Sequence, residues 1–168
     1  MMYSRADKIK SIVIHCSAGY GDVEAIKNFW KYTLGWKSPG YHRIVDLDGK
    51  IHKLSDFENI TNGVRGFNTS TLHICYIGGV DKNNYSKAKD TRTPKQKEAI
   101  LECIYEALEW LESKGRDVCE IEIKGHRDFS PDLNGNGDID PWERIKECPS
   151  FDAIPEYLST IDEYVINK

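Results

Sequence analysis

The order of hydrophobic and polar residues predicts a strand, a helix and a hairpin in the first part of the chain. The β-branched run at 10–16 is typical of a buried strand. Asp22 is a suitable N-cap for a helix whose apolar positions recur at helical spacing until Gly35. Asp48 and Gly49 stand between two alternating segments, which is a strong local signal for a β-hairpin.

The second part of the chain continues to alternate strands and helices. Residues 71–79 predict another buried strand that ends at two glycines. Thr93, an N-cap followed by proline, begins a helix with one apolar face that continues to Gly115. Five other segments are a polar loop at 55–70, a surface loop at 81–92, a strand at 119–124, a long loop at 125–149 and an amphipathic helix at 151–167. This order predicts an α/β fold with a single mixed β-sheet flanked by helices, in which the hairpin supplies an antiparallel pair.

Length and composition narrow the kind of protein. A chain of 168 residues is expected to form one domain over 1–168. The net charge is −4 without a basic block, so nucleic acid is not an expected partner. No apolar run reaches the roughly 20 residues that a membrane helix needs, and the amino-terminal segment has no signal-peptide pattern. We therefore expect a monomer made in the cytoplasm that does not contact the membrane. Its five scattered cysteines are expected to be reduced.

Three potential metal ligands lie at the ends of predicted elements. His15 closes the first strand, His126 follows the strand at 119–124, and Cys148 precedes the last helix. Two imidazoles and one thiolate with an open fourth position match a catalytic zinc site. Taken alone, their spacing fits no short-range ligand rule, and residues of these types are more often packed histidines or inert core cysteines than metal ligands.

Five ordered segments change this weighting. The chain resembles the N-acetylmuramoyl-L-alanine amidase type 2 family in IVIHCSA, GYHRIVDLDGKIHKL, GVRGFNTSTLHICYIGG, KGHRDFSP and KECPSFDA. This family includes phage lysozymes of the amidase kind and is similar in fold to peptidoglycan recognition proteins. The resemblance implies that His15, His126 and Cys148 are zinc ligands and that Tyr41 and Lys146 assist catalysis. It also implies hydrolysis of the amide bond between N-acetylmuramic acid and L-alanine in bacterial peptidoglycan.

The residue types suit that reaction. Zinc activates water as a nucleophile at neutral pH and polarises the amide carbonyl. Lys146 and the Tyr41 hydroxyl could stabilise the oxyanion, an effect typically worth about 3 kcal/mol for each well-placed donor. Because the chain has no HExxH glutamate, the proton for the leaving nitrogen must come from Lys146, Tyr41 or the water.

Other polar residues in these segments have less defined roles. His73 occupies a place where the family often has a small residue. It is expected either to narrow the substrate groove or to fill the sheet face, and the packing role is favoured. Asn68 is expected to order its loop, and Arg65 is a candidate for substrate contact. His42 and His52, within the hairpin segment, are given no role.

A second metal signal lies between His126 and Cys148. Residues 132–143 match the EF-hand calcium loop, with Gly137 at the sharp turn. The predicted oxygen ligands are Asp132, Asn134, Asn136, Asp138, Asp140 and Glu143. In that hypothesis calcium orders the segment that carries Lys146 and Cys148. The alternative is a solvated Asn/Gly-rich turn, since a proline lies inside the loop and no flanking helices are evident.

The sequence is compatible with three functions to different degrees. The first is a zinc amidase, either a phage or prophage lysis enzyme that acts on the cell wall after release or a bacterial recycling enzyme. The second is a peptidoglycan-binding module that does not cut its ligand, and the complete set of ligands and helpers argues against it. The third is a calcium-controlled interaction protein, which a single unpaired loop makes the weakest of the three.

Overall fold

The computed structural model describes residues 4–168, which form two β-sheets, one long helix and several short ones. Residues 1–3, the start of the segment from which we predict that no signal peptide is present, lie outside the described residues. The strands in chain order are β1 (Ser11–Cys16), β2 (Arg43–Val45), β3 (Ile51–Lys53), β4 (Thr71–Tyr76), β5 (Val80–Asp81), β6 (Asn84–Ala88) and β7 (Glu122–Gly125).

The main sheet is mixed, as predicted. Its strands lie in the order β3-β2-β4-β1-β7, and every neighbouring pair is parallel except β2 with β3. The antiparallel pair is the predicted hairpin. Gly49 has a φ of +82°, a conformation that glycine adopts without strain. The Asp46 carboxylate accepts the N–H groups of Asp48 and Lys50 at 2.9 and 3.0 Å, which closes the turn.

Helices cover both faces of this sheet. They are α1 (Val23–Asn28), α2 (Pro94–Ser113), α3 (Ala153–Glu156) and α4 (Thr160–Ile166). The Asp22 carboxylate caps α1 by accepting the Ala25 N–H at 2.8 Å, and α1 continues into a π-helical turn at Phe29–Thr33. Thr93 and Gln96 cap α2 reciprocally, with each side chain accepting the backbone N–H of the other.

Strand alternation separates the two faces of the sheet. Successive side chains of a strand point to opposite faces, so Ile14 joins the core cluster beneath α2 while His15 points to the other face. On β4 the same alternation places Ile74 in the α2 core and Cys75 in a second cluster with Trp30. His15 and the α2 core therefore share a strand but not a face, whereas Cys148 packs against the main core cluster.

Three segments differ from the sequence prediction. The strand expected at 119–124 begins only at Glu122, because Val118–Glu120 form a 3₁₀ turn in which the Asp117 side chain accepts the Cys119 N–H.

The loop expected at 81–92 contains β6, which pairs with β5 in a hairpin. Hydrophobic alternation could not reveal β6, because every one of its residues is exposed. The closing helix is interrupted between α3 and α4, where the Tyr157 side chain is buried and its hydroxyl oxygen lies 3.3 Å from Arg92 Nη1. That tertiary contact outweighs local helix propensity. No helix within residues 4–168 combines the length and apolar character needed to cross a membrane.

Candidate metal centre and catalytic cleft

The fold brings His15, His126 and Cys148 together. His15 lies near the end of β1, and His126 begins the 3₁₀ turn His126–Phe129 directly after β7, the strand beside β1. The Cys148 carbonyl accepts the Arg127 N–H at 2.7 Å, which ties its segment to that same turn. One ligand atom from each of the three residues lies within 4.8 Å of the others. Within residues 4–168 this is the one such group of His, Cys, Asp and Glu.

The spacing of these atoms fits zinc. The His15 Nδ1 atom is 3.7 Å from Cys148 Sγ. Tetrahedral zinc, with bonds of about 2.0–2.1 Å to nitrogen and 2.3 Å to sulfur, keeps its donors about 3.3 to 3.6 Å apart. A small inward movement of the side chains would therefore complete three of the four positions, leaving the fourth for water or substrate.

The two histidines are in the protonation state that a metal requires. His15 is fully buried, and burial, followed by neighbouring imidazoles, lowers its pKa well below the ordinary value. Burial, then the nearby Lys146 ammonium, lowers the pKa of His126 to about 4. Both rings are neutral at pH 7, so a lone pair is available on each.

The pKa of Cys148 is shifted in the opposite direction to those of the two histidines. Burial, then hydrogen bonding to the Cys16 thiol, raises the pKa of the Cys148 thiol well above its ordinary value. The Cys16 backbone N–H donates to Cys148 Sγ at 3.2 Å and favours the thiolate in a smaller measure. A metal that binds here must therefore displace a proton from the sulfur.

The segment that carries Cys148 also borders an open cleft of about 790 Å³. Tyr41, His126, Lys146 and Cys148 line it, together with Arg65. Its wall carries the aromatic residues Phe29, Trp30, Trp36, Phe67 and Phe129. Aromatic rings beside a polar centre suit a ligand with sugar and peptide parts.

The two predicted catalytic helpers differ in exposure. The ring of Tyr41 lies between His15 and Trp30, with ring centroids 4.8 and 5.4 Å away. Burial raises the pKa of the Tyr41 hydroxyl well above its ordinary value, so the phenol stays protonated and can donate a hydrogen bond. Lys146 is exposed on the cleft.

His73 takes the favoured of its two expected roles and fills the sheet face. It is fully buried and does not line the cleft, so it does not narrow the groove. Its Nδ1 atom lies 2.9 Å from His15 Nε2, so it contacts a ligand candidate directly.

Asn68 Oδ1 accepts the Val64 N–H at 2.7 Å and orders its loop as expected. His52 lies away from His15 and His73, on the edge strand β3, and its Nε2 atom is 2.8 Å from Asp46 Oδ2.

The EF-hand-like loop is closed by hydrogen bonds to its own backbone. Asp132 accepts the N–H groups of Gly135 and Gly137, and the buried Glu143 accepts those of Leu133 and Asn134. Its carboxylates do not converge on one point as the three zinc-ligand candidates do. Calcium binding at this loop stays a prediction from the sequence.

Comparison with known proteins identifies the family. The profile described as N-acetylmuramoyl-L-alanine amidase matches residues 5–150. The chain belongs to this family. The endolysin of Enterobacteria phage K11 is 24% identical over 155 residues, covering 90% of this chain and 97% of that protein. An uncharacterized protein of Haemophilus influenzae is 35% identical over 107 residues, covering 64% of this chain and 84% of the relative.

A solved structure confirms the predicted fold. The complex of tracheal cytotoxin with the peptidoglycan recognition proteins LCa and LCx superposes with a TM-score of 0.64 at 19% identity. The superposition covers 94% of this chain and 85% of that chain. At this identity the similarity concerns the fold alone. Membership of the amidase family, together with the endolysin relatives, supports peptidoglycan amidase activity for this chain.

Proposed function

We propose that this protein is a zinc-dependent N-acetylmuramoyl-L-alanine amidase, which cuts the amide bond between N-acetylmuramic acid and L-alanine in peptidoglycan. The observation that carries the proposal is the convergence of His15, His126 and Cys148 beside an open cleft. When bound in a three-ligand site of this kind, zinc activates a water molecule and polarises a carbonyl oxygen.

Two further side chains would act on the substrate. The protonated Tyr41 phenol would donate a hydrogen bond to the oxygen that gains negative charge, and the Lys146 ammonium would stabilise that charge from the open side of the cleft. Lys146 also carries a proton that the leaving nitrogen could accept. The aromatic wall of the cleft would hold the sugar and stem on either side of the scissile bond.

The alternative function is recognition of peptidoglycan without cleavage. The complex of recognition proteins with tracheal cytotoxin shows that proteins of this fold can hold such a ligand. The three converging donors favour cleavage, because binding alone requires neither a thiolate nor two neutral imidazoles around one point. The endolysin relatives further support a lysis enzyme that is made in the cytoplasm and acts on the cell wall.

The test is an assay of the zinc-loaded protein on purified muropeptides, followed by mass spectrometry. The expected products are a free muramic lactyl acid and a peptide with a free L-alanine amino group. Cys148→Ser should lower turnover by more than about 100-fold, at least the loss seen when a single oxyanion donor is removed. Cys119→Ser is the matched control, because Cys119 is an exposed thiol that does not line the cleft.

Two results would contradict the proposal. Full turnover by a folded Cys148→Ser variant would remove the metal assignment. Tight muropeptide binding without cleavage by the zinc-loaded wild type would show a recognition module instead.

A further inference from the structure

We propose that His73 is a positioning residue that determines which ring nitrogen of His15 faces the metal. The inference rests on the proposed zinc site. It concerns a fully buried residue that does not line the cleft.

The two ring nitrogens of His15 have different partners. Its Nδ1 atom faces Cys148 Sγ at 3.7 Å, and its Nε2 atom lies 2.9 Å from His73 Nδ1. A neutral imidazole has a hydrogen on one nitrogen and a lone pair on the other. Nδ1 can therefore bind a metal only if Nε2 carries the hydrogen and His73 Nδ1 accepts it.

Thr71 fixes the direction of the hydrogen bonds at the far side of His73. The single hydroxyl hydrogen of Thr71 is donated to the Phe67 carbonyl at 2.9 Å. The same hydroxyl oxygen is 2.9 Å from His73 Nε2, so in that contact it can only accept. His73 Nε2 must therefore carry a hydrogen.

The contact with Asn68 independently indicates that His73 Nε2 carries a hydrogen. The Oδ1 atom of Asn68 accepts the Val64 N–H at 2.7 Å, which identifies that atom as the amide oxygen and not the nitrogen. This oxygen lies 3.1 Å from His73 Nε2 and is again an acceptor there. Two separate acceptors thus require the Nε2–H form of His73.

A neutral His73 then has its lone pair on Nδ1. The ring is fully buried, and its partners are a hydroxyl, an amide oxygen and another imidazole, none of which is anionic. A buried charge without a counter-charge is strongly disfavoured. His73 Nδ1 consequently accepts from His15 Nε2, and the lone pair of His15 is directed to the Cys148 side.

The ring of His73 is held in place from two further directions. Its backbone N–H donates to His42 Nδ1 at 3.0 Å, and His42 Nε2 in turn lies 2.8 Å from the Asn59 carbonyl. Gly63 packs against the ring so closely that a Cβ atom there would lie 2.2 Å from His73 Nδ1. Any side chain at position 63 would therefore displace the acceptor.

The first experiment uses metal-free protein labelled with ¹⁵N and long-range ¹H–¹⁵N correlation spectra at neutral pH. We expect His15 and His73 both to carry their hydrogen on Nε2. A hydrogen on His15 Nδ1 would overturn the proposal. This measurement needs neither zinc nor turnover, and it remains decisive if a variant fails to fold.

The second experiment measures zinc affinity by competition with a chromogenic chelator. His73→Phe keeps a ring of similar size but has no acceptor, and it should weaken zinc binding by about 10- to 100-fold, as expected for loss of a partner behind a ligating histidine. His73→Asn places an oxygen near the position of Nδ1 and should restore most of the affinity. His52→Phe is the control, since His52 pairs with Asp46 and not with a ligand candidate.

Unchanged zinc affinity in a folded His73→Phe protein would also overturn the proposal. A failure of the proposed amidase activity would look different. In that case muropeptides would stay intact, while the tautomer of His15 and the affinity difference between the Phe and Asn variants would remain measurable.

Discussion

At the scale of single residues, burial shifts the pKa values of the candidate ligands in opposite senses. It lowers those of His15 and His126, so both rings have lost their extra proton well below neutral pH. It raises that of Cys148, so the thiol keeps its proton through neutral pH. Only the sulfur must therefore be deprotonated when a metal binds near pH 7.

This predicts the pH dependence of zinc affinity. Between about pH 6 and 8 the histidines do not compete with the metal for protons, while Cys148 must release one, so affinity should rise about tenfold for each pH unit. Calorimetry in buffers of different ionisation enthalpy should report about one proton released per zinc. Cys148→Asp should release fewer protons, because the ordinary pKa of a carboxyl group, about 3.9, lies far below that of a thiol. A flat affinity profile in the wild type would contradict the prediction.

The residues themselves were predictable to different degrees. The resemblance in KGHRDFSP and KECPSFDA indicated His126 and Cys148, and the structure brings both to His15. The contact of His73 with His15 was not predictable, because it depends on the register of β1 with β4 and on the space beside Gly63. Neither property is visible in a local pattern of residue types.

At the scale of elements, predictions succeeded where local and tertiary signals agree. Helix α2 has both a capping box at Thr93 and an apolar stripe that is buried on the sheet, so the sequence indicated its extent correctly. The β5–β6 hairpin and the break before α4 depend on local backbone pairing and on the contacts of Tyr157. Hydrophobic periodicity contains no information about either.

The 132–143 loop gives a prediction at this scale. If it binds calcium, the ion should raise the melting temperature and change the fluorescence of Trp142, which lies in the loop and is 65% exposed. Glu143→Gln should abolish the response, whereas Glu147→Gln, an exposed acid outside the loop, should retain it. The absence of any response at millimolar calcium would show a turn held only by its own hydrogen bonds.

At the scale of the whole molecule, the candidate metal centre joins distant parts of the chain. His15 and Cys148 are 133 positions apart, and the residue between them in the group, His126, follows a different strand. These donors meet only in the folded protein, so a metal that they hold binds the native state in preference to the unfolded chain.

Zinc should therefore stabilise the protein against unfolding. At free zinc 100-fold above the dissociation constant, the free energy of unfolding should rise by about 2.7 kcal/mol. Urea titrations with and without zinc measure this difference, and Cys148→Ser should lose most of it. Equal unfolding midpoints with and without zinc in the wild type would argue against a metal centre built by the fold.

The opposite orientation of Ile14 and His15 on one strand has a practical consequence for engineering. Side chains beneath α2 that do not pack against Cys148 are the place to begin a search for a more heat-tolerant variant, because the sheet backbone stands between them and His15. Substitutions selected at such positions should raise thermal stability while the orientation of His15 is kept.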